Sequence, residues 1–235
     1  MGCENHHGHL DSCIHSVPVF EGMSDSELQL IKEAKNSRKY KKGEYIFREG
    51  DPSESLYIIH QGLIKLSKIS QDGKEQIIRL LFPGDFFGEF ALVHNKNHYA
   101  NAEVLQDTVV CTVEKQGFIR TMELNPNMTL RFIDTLNDRI FYADEWVSSM
   151  SLLEVDQRLA RVLLLFNEKV NPDNDTFSLP ISKKDTASLI GTTPETLSRK
   201  LVQFVSQQMI KLHGRNEIEI INREKLEAFA GRYDC

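Results

Sequence analysis

Residues 182–207 read SKKDTASLIGTTPETLSRKLVQFVSQ. The spacing predicts a short helix, a glycine turn and a second helix. Ser182 is placed to cap the first helix, and Asp185 puts a carboxylate near the orphan N–H groups of its first turn. Gly191 supplies the left-handed residue that ends a helix. Thr193 then caps the second helix, with Pro194 at the first position, where a missing N–H costs nothing. Leu197, Leu201, Phe204 and Val205 recur at helical spacing and predict the buried stripe. Glu195, Ser198 and Arg199 stand at i, i+3 and i+4 on another face. In a helix-turn-helix the second helix enters the major groove, N-terminal residues toward the base edges. There Arg pairs with guanine O6 and N7, and Glu accepts from cytosine N4.

The flanking sequence extends this module. Residues 210–221, IKLHGRNEIEII, predict two short strands about Gly214, a hairpin wing, and a short helix follows from about Arg223 to Phe229. Between Ser182 and Asn216 the basic residues Lys183, Lys184, Arg199, Lys200, Lys211 and Arg215 face only Asp185 and Glu195, in a chain of formal charge −6. A basic module on an acidic protein is the electrostatic footprint of phosphate binding. The expected contacts with double-stranded DNA are Glu195, Ser198, Arg199, Thr193, Lys183, Lys200 and Arg215.

The chain has 235 residues, 40% hydrophobic and 26% charged, which fits two modest soluble domains. No apolar run is long enough to span a bilayer and no signal-peptide pattern opens the sequence, so a cytoplasmic protein with no membrane partner is expected. With 4 Cys in such a chain, redox or metal chemistry is favoured over a static disulfide framework.

Upstream the pattern divides into a Cys/His-rich segment (1–17), a β-rich region (18–125), a long helix (126–153) and the winged helix-turn-helix (154–235), an α+β chain. Residues 24–27 look like a capping box for a helix to about Ala34. From Lys41 to Glu114, short apolar runs alternate with glycine turns at Gly43, Gly50, Gly62, Gly73, Gly84 and Gly88, predicting a sandwich or barrel. After Pro126 the period becomes helical. Ile133, Ile140, Val147 and Glu154 are seven apart, with Leu136, Ala143 and Met150 in the three intervals, a pattern that suits a homodimeric coiled-coil seam or a helix packed on its own β-domain. A further helix is expected from about Glu154 to Val170, then a polar linker at 171–175.

From about Val19 to Gly231 the chain resembles the CRP/FNR superfamily of bacterial regulators. The motifs KKGEYIFREGD, LYIIHQGLIKL, DGKEQ and FPGDFFGE match that family's β-roll punctuation, and Glu195-Thr-Leu-Ser198-Arg199 is similar to the E-x-x-S-R recognition helix of its oxygen-responsive branch. The resemblance implies a jelly-roll sensor domain of the cyclic-nucleotide-binding type, a TTGAT half-site repeated as an inverted palindrome, and RNA polymerase as a partner. It does not extend to the cyclic-AMP clamp. Gly88-Glu89 is present, but the family's phosphate-binding Arg and Ser fall near His98 and Tyr99 or Ala100, and no Arg occurs between Arg79 and Arg120. Cyclic AMP is therefore not expected as a ligand.

Cys111 matches the β-roll cysteine of the oxygen-sensing branch, yet upstream there are only Cys3 and Cys13, which disfavours a [4Fe-4S] cluster; Cys235 stands at the far terminus. The pattern is closer to FNR-like proteins of Gram-positive bacteria, which implies a reversible disulfide, Cys13 or Cys3 with Cys111. Zinc is the alternative, with Cys3, His6, His7, His9, Cys13 and His15 as candidate ligands and Cys111 as a candidate fourth. A disordered tail with a buried strand cysteine is the plain alternative, and an unrelated small-molecule effector also stays open. No cofactor is required by any of these motifs. Phosphate-loop, G-x-S-x-G and H-E-x-x-H signatures are missing, so no enzyme is expected. His94, His98 and Glu103 are the only hint of a cupin-like metal barrel.

Overall fold

The computed structural model describes residues 20, 23, 35–53, 55–90 and 96–231. Cys3, His6, His7, His9, Cys13, His15, the helix expected at 24–34, His94 and Cys235 lie outside them. The chain forms two compact units. The first takes in the chain up to Gly73 with Ile78–Phe141, the second Lys74–Ile77 with the chain from Tyr142 onward.

In the first unit, β1 (Lys35–Tyr40), β6 (Asn101–Glu114), β3 (Ser55–Ile69) and β4 (Glu75–Leu81) lie side by side in that order. Short β2 (Tyr45–Phe47) pairs with β6, and β5 (Phe86–Phe87) with β3. The apolar runs Tyr57–Ile59 and Leu63–Leu66, on either side of the glycine turn expected at Gly62, belong to one strand, β3. Gly62 sits within it at φ 101°, where the pairing with β6 slips register on both sides. A Cβ there would run into Thr108 Oγ1 and come within 2.7 Å of Asp107 O. A glycine thus lets the strand bend against β6 without ending it.

Alternation along β3 and β6 builds two cores. Ile58 and Cys111 face one cluster with Leu56, Phe86 and Val113, closed by Phe118, Met128, Phe132 and Phe20. Ile59 and Val110 face the other, with Phe47, Ile64, Leu66, Leu81, Phe87 and Val104. Phe118 belongs to α1 (Lys115–Leu124), a helix the sequence did not suggest. Met128 and Phe132 belong to α2 (Pro126–Leu152).

Helix α2 has two apolar faces. Met128, Phe132 and the half-buried Leu136 pack into the first cluster. Ile133, Ile140 and Val147 are 47%, 60% and 64% exposed, and Leu130 and Phe141 join them at the surface. Ala143 is exposed too. Two of the six expected seam residues are turned inward: Leu136 packs on the roll, and Met150 reaches Gly191, whose Cβ position is 2.5 Å from the Met150 methyl.

In the second unit α3 (Val155–Val170) opens with a capping box between Glu154 and Gln157 and buries Leu159, Val162, Leu163 and Phe166. A three-stranded sheet follows, ordered β7 (Thr176–Ser178), β9 (Glu217–Ile220), β8 (Ile210–His213), with α4 (Lys183–Leu189), α5 (Pro194–Ser206) and α6 (Arg223–Ala230). Strand β7, just after the polar linker expected at 171–175, is new; it closes the wing by pairing with β9.

Candidate nucleic-acid interface

The local signals that predicted α4 and α5 act as expected. Ser182 Oγ accepts from the Asp185 backbone N–H at 3.0 Å. The chain leaves α4 through Gly191 at φ 68°, and Thr192 N–H donates back to Ala187 O at 2.9 Å. Thr193 Oγ1 accepts from Thr196 N–H at 3.3 Å, with Pro194 at the first position. Leu197, Leu201 and Phe204 are buried, and Phe204 meets Phe229 of α6 edge to face. Val205 is a correction: expected in that stripe, it is 38% exposed.

Glu195, Ser198 and Arg199 are all exposed on the opposite face, together with Thr193. The Glu195 carboxyl is held below the usual carboxylate range, first by its own backbone N–H, then by the Thr193 hydroxyl, with a smaller contribution from Arg199. It is therefore an ionised acceptor at a helix N-terminus. Arg199 Nη2 donates to Thr196 Oγ1 at 3.0 Å, which steadies the guanidinium one turn from Glu195. Ser198 Oγ donates to Pro194 O at 2.9 Å, so its hydroxyl hydrogen is engaged and its lone pairs face outward. Val202, which the sequence reading passed over, is 65% exposed and continues the Glu195–Arg199 line by one turn.

The charged residues differ in how their charges are used. Arg215 is exposed at the turn between β8 and β9, Lys184 is exposed on α4, and Lys183 is half-buried. Lys200 is a correction: its Nζ is 2.8 Å from Asp156 Oδ2 of α3, with side chains only 29% and 14% exposed. That ion pair turns Lys200 toward α3 and away from the reading face. Lys211 lies 4.0 Å from Glu219, which also meets His213 Nε2 at 2.6 Å.

Arg158 was missed by sequence reasoning. It is 8% exposed; its Nε donates to Ile190 O at 3.0 Å and its Nη1 to Leu153 O at 2.6 Å and Met150 O at 3.2 Å. One guanidinium thus joins the end of α2 to Ile190, the residue that caps α4 just before the Gly191 turn. The available signal was an Arg among the apolar positions of α3.

In the roll, Cys111 is fully buried in the cluster that also holds Phe20. His98 is buried and stacked on Phe47 with ring centroids 3.4 Å apart, and burial lowers its pKa to about 4 despite the opposing pull of Asp51. Glu103 pairs with Lys65 at 3.2 Å and accepts from the Tyr45 hydroxyl. His98 and Glu103 are thus committed to separate contacts. Among the described residues no three His, Cys, Asp or Glu side chains gather as a metal site, and no helix is long and apolar enough to cross a membrane.

Residues 37–125 match the family described as a cyclic nucleotide-binding domain, and residues 157–229 match the Crp-like helix-turn-helix domain. Electron transport regulator A of Shewanella oneidensis is 30% identical over 193 residues, covering 81% of this chain and 76% of that protein. A probable transcriptional regulator flp of Lacticaseibacillus casei is 26% identical over 219 residues, 93% of this chain and 98% of that one. The solved structure of FixK2 from Bradyrhizobium japonicum superposes with a TM-score of 0.78 at 25% identity, over 85% of this chain and 98% of that one.

Proposed function

Because this chain belongs to the CRP/FNR family of transcription regulators, we propose that it acts as a homodimer on a TTGAT-type inverted repeat, with Glu195 and Arg199 reading bases and Ser198 beside them. The observation that carries this reading is the exposed trio on a helix whose start is fixed by Thr193 and Pro194. Lys183, Lys184 and Arg215 supply phosphate contacts, which position the module without reading sequence. The dimer seam is the outward face of α2 about Ile133, Ile140 and Val147. RNA polymerase is the expected protein partner, by membership of the family, and the cytoplasm the expected compartment.

Arg199→Ala tests the assignment. It should weaken the cognate site by about 1–3 kcal/mol and flatten discrimination at one base pair. Equal losses on cognate and scrambled DNA in a mobility-shift titration would reduce Arg199 to a phosphate contact.

For the signal, we favour a thiol–disulfide switch between Cys111 and an N-terminal cysteine, first Cys13. Its support is the shared cluster of Cys111 and Phe20. Seven residues separate Cys13 from Phe20, an extended reach of about 23–25 Å. Since Cys111 is wholly enclosed, the exchange requires the cluster to open. Zinc on Cys3, His6, His7, His9 and Cys13 is the alternative, separated from the switch by intact mass with and without reductant. Cyclic AMP does not fit: His98, where the family's phosphate-binding arginine would stand, is neutral at physiological pH and enclosed by Phe47.

A further inference from the structure

One apolar side chain stands on the reading face of α5. Val202 lies three residues beyond Arg199 and seven beyond Glu195, so the three share one side of the helix. It is 65% exposed, whereas Leu197 and Leu201 on the opposite side are buried. Single exposed apolar residues are common on protein surfaces. This one is set apart by its neighbours.

The second half of α5 carries no charge. Residues 201–208 read LVQFVSQQ, and Lys200 just before them is drawn to Asp156 at 2.8 Å. This stretch therefore has no cation of its own to offer a phosphate. Its polar groups are turned inward as well: Ser206 Oγ donates to Gln203 O at 2.7 Å, and Gln203 is half-buried. Arg199 Nη2 donates to Thr196 Oγ1 at 3.0 Å, so the guanidinium is turned back toward the helix start and leaves Val202 open. Val205, partly exposed, lies beside it one turn on. Past Arg199, the face that meets the groove thus presents methyl groups.

The floor of the major groove shows one apolar group, the C5-methyl of thymine; the other features that tell base pairs apart there are hydrogen-bond donors and acceptors. Valine has no donor or acceptor on its side chain, so the methyl is the feature it can select. We propose that Val202 is a specificity-determining residue that reads a thymine through its C5-methyl, at a base pair adjoining the one held by Glu195 and Arg199. This role depends on the base-reading assignment above and extends it by one position. In a TTGAT half-site the single G·C pair occupies both Glu195, at cytosine N4, and Arg199, at guanine O6 and N7. A T·A pair stands on one side of it and an A·T pair on the other. A thymine methyl therefore adjoins the G·C pair whichever way α5 runs along the groove. Three residues advance the helix by about 4.5 Å, against about 3.4 Å between base pairs, a separation that suits an adjoining pair.

The test is a uracil scan, read by fluorescence-anisotropy titration of the full chain on a palindromic TTGAT operator. Deoxyuridine keeps the pairing and the O4 acceptor of thymine and lacks only the methyl. Each operator in the scan carries the replacement at one thymine position in both half-sites, the thymine opposite adenine included. Replacement at one position adjoining the G·C pair should weaken wild-type binding about fourfold per half-site, the worth of one buried methyl. Val202→Ala should bind the thymine operator more weakly by the same factor and should no longer distinguish thymine from uracil. Its melting should match wild type, because the position is exposed and alanine is the better helix former. A wild type indifferent to uracil beside the G·C pair would overturn the role of Val202. A uracil loss as large in Val202→Ala as in wild type would do the same, by assigning the loss to the DNA itself; both results leave Glu195 and Arg199 in place. A wild type that binds TTGAT no better than scrambled DNA would overturn the base-reading assignment and the role of Val202 with it.

Discussion

Replacing Arg158 by Met keeps most of the side chain's length and removes three charge-assisted hydrogen bonds. The cost differs among the three acceptors. Ile190 is fully buried, so its carbonyl loses its partner with no route to water. Bond and desolvation together amount to about 3 kcal/mol there. Leu153 is half-buried and Met150 similarly so, and their carbonyls at the end of α2 can rehydrate, at about 1 kcal/mol each. The expected loss is about 4–5 kcal/mol, a large fraction of a typical domain's stability. The single tryptophan, Trp146, belongs to the second unit, so its fluorescence during a urea titration reports that unit alone. Arg158→Lys, with its charge and at least one bond retained, should lose about half as much. Because Ile190 precedes the Gly191 turn, both variants should also weaken operator binding beyond what their unfolded fraction explains. If Arg158→Met unfolds within 1 kcal/mol of wild type, the three bonds do not carry the weight assigned to them.

Ile140→Asp should give monomers in sedimentation while leaving the monomer's own melting unchanged, because Ile140 is 60% exposed within one chain and becomes a buried charge only in the seam; a dimeric variant would remove α2 as the interface. Oxidised and reduced wild type should differ in operator affinity, and Cys111→Ala should abolish the difference. Alanine is preferred to serine because a hydroxyl in that enclosed cluster would itself destabilise the fold; peptide mapping that finds Cys111 always reduced would end the disulfide reading. His98 titrates at about 4 when folded against 6.5 unfolded, so the unfolded chain takes up its proton first and stability falls as pH drops from 6.5 toward 4. His98→Gln should flatten that slope in melts across this window, and an unchanged slope would assign it to other groups.

What the sequence disclosed was local chemistry. Ser182, Gly191, Thr193 and Pro194 act within four residues of themselves, so the two helices of the reading module were legible at near-residue precision. What stayed hidden depended on distant neighbours. β1, KNSRKY, has no apolar alternation and is recognisable only by its pairing with β6. α1 carries a glycine and buries only Phe118 and Thr121. Gly62 looked like a turn because a glycine that permits a bulge and one that ends a strand read alike until β6 lies alongside. Lys200 counted as phosphate-seeking charge until Asp156, 44 residues away, took it up.

Helix α2 joins these two kinds of information. A seven-residue repeat fixes which residues share a stripe, but not which of two stripes meets the chain's own roll. Leu136 is half-buried on the roll beside Met128 and Phe132, so the stripe left for a second chain runs through Leu130, Ile133, Ile140 and Val147. Asn137 stands exposed in the middle of that stripe. A polar residue in an otherwise apolar seam costs stability but admits one register, since only one alignment lets it meet its twin. Register matters here because each α2 runs toward the Arg158 junction. In the proposed dimer Asn137 is thus the position that fixes the register of the seam.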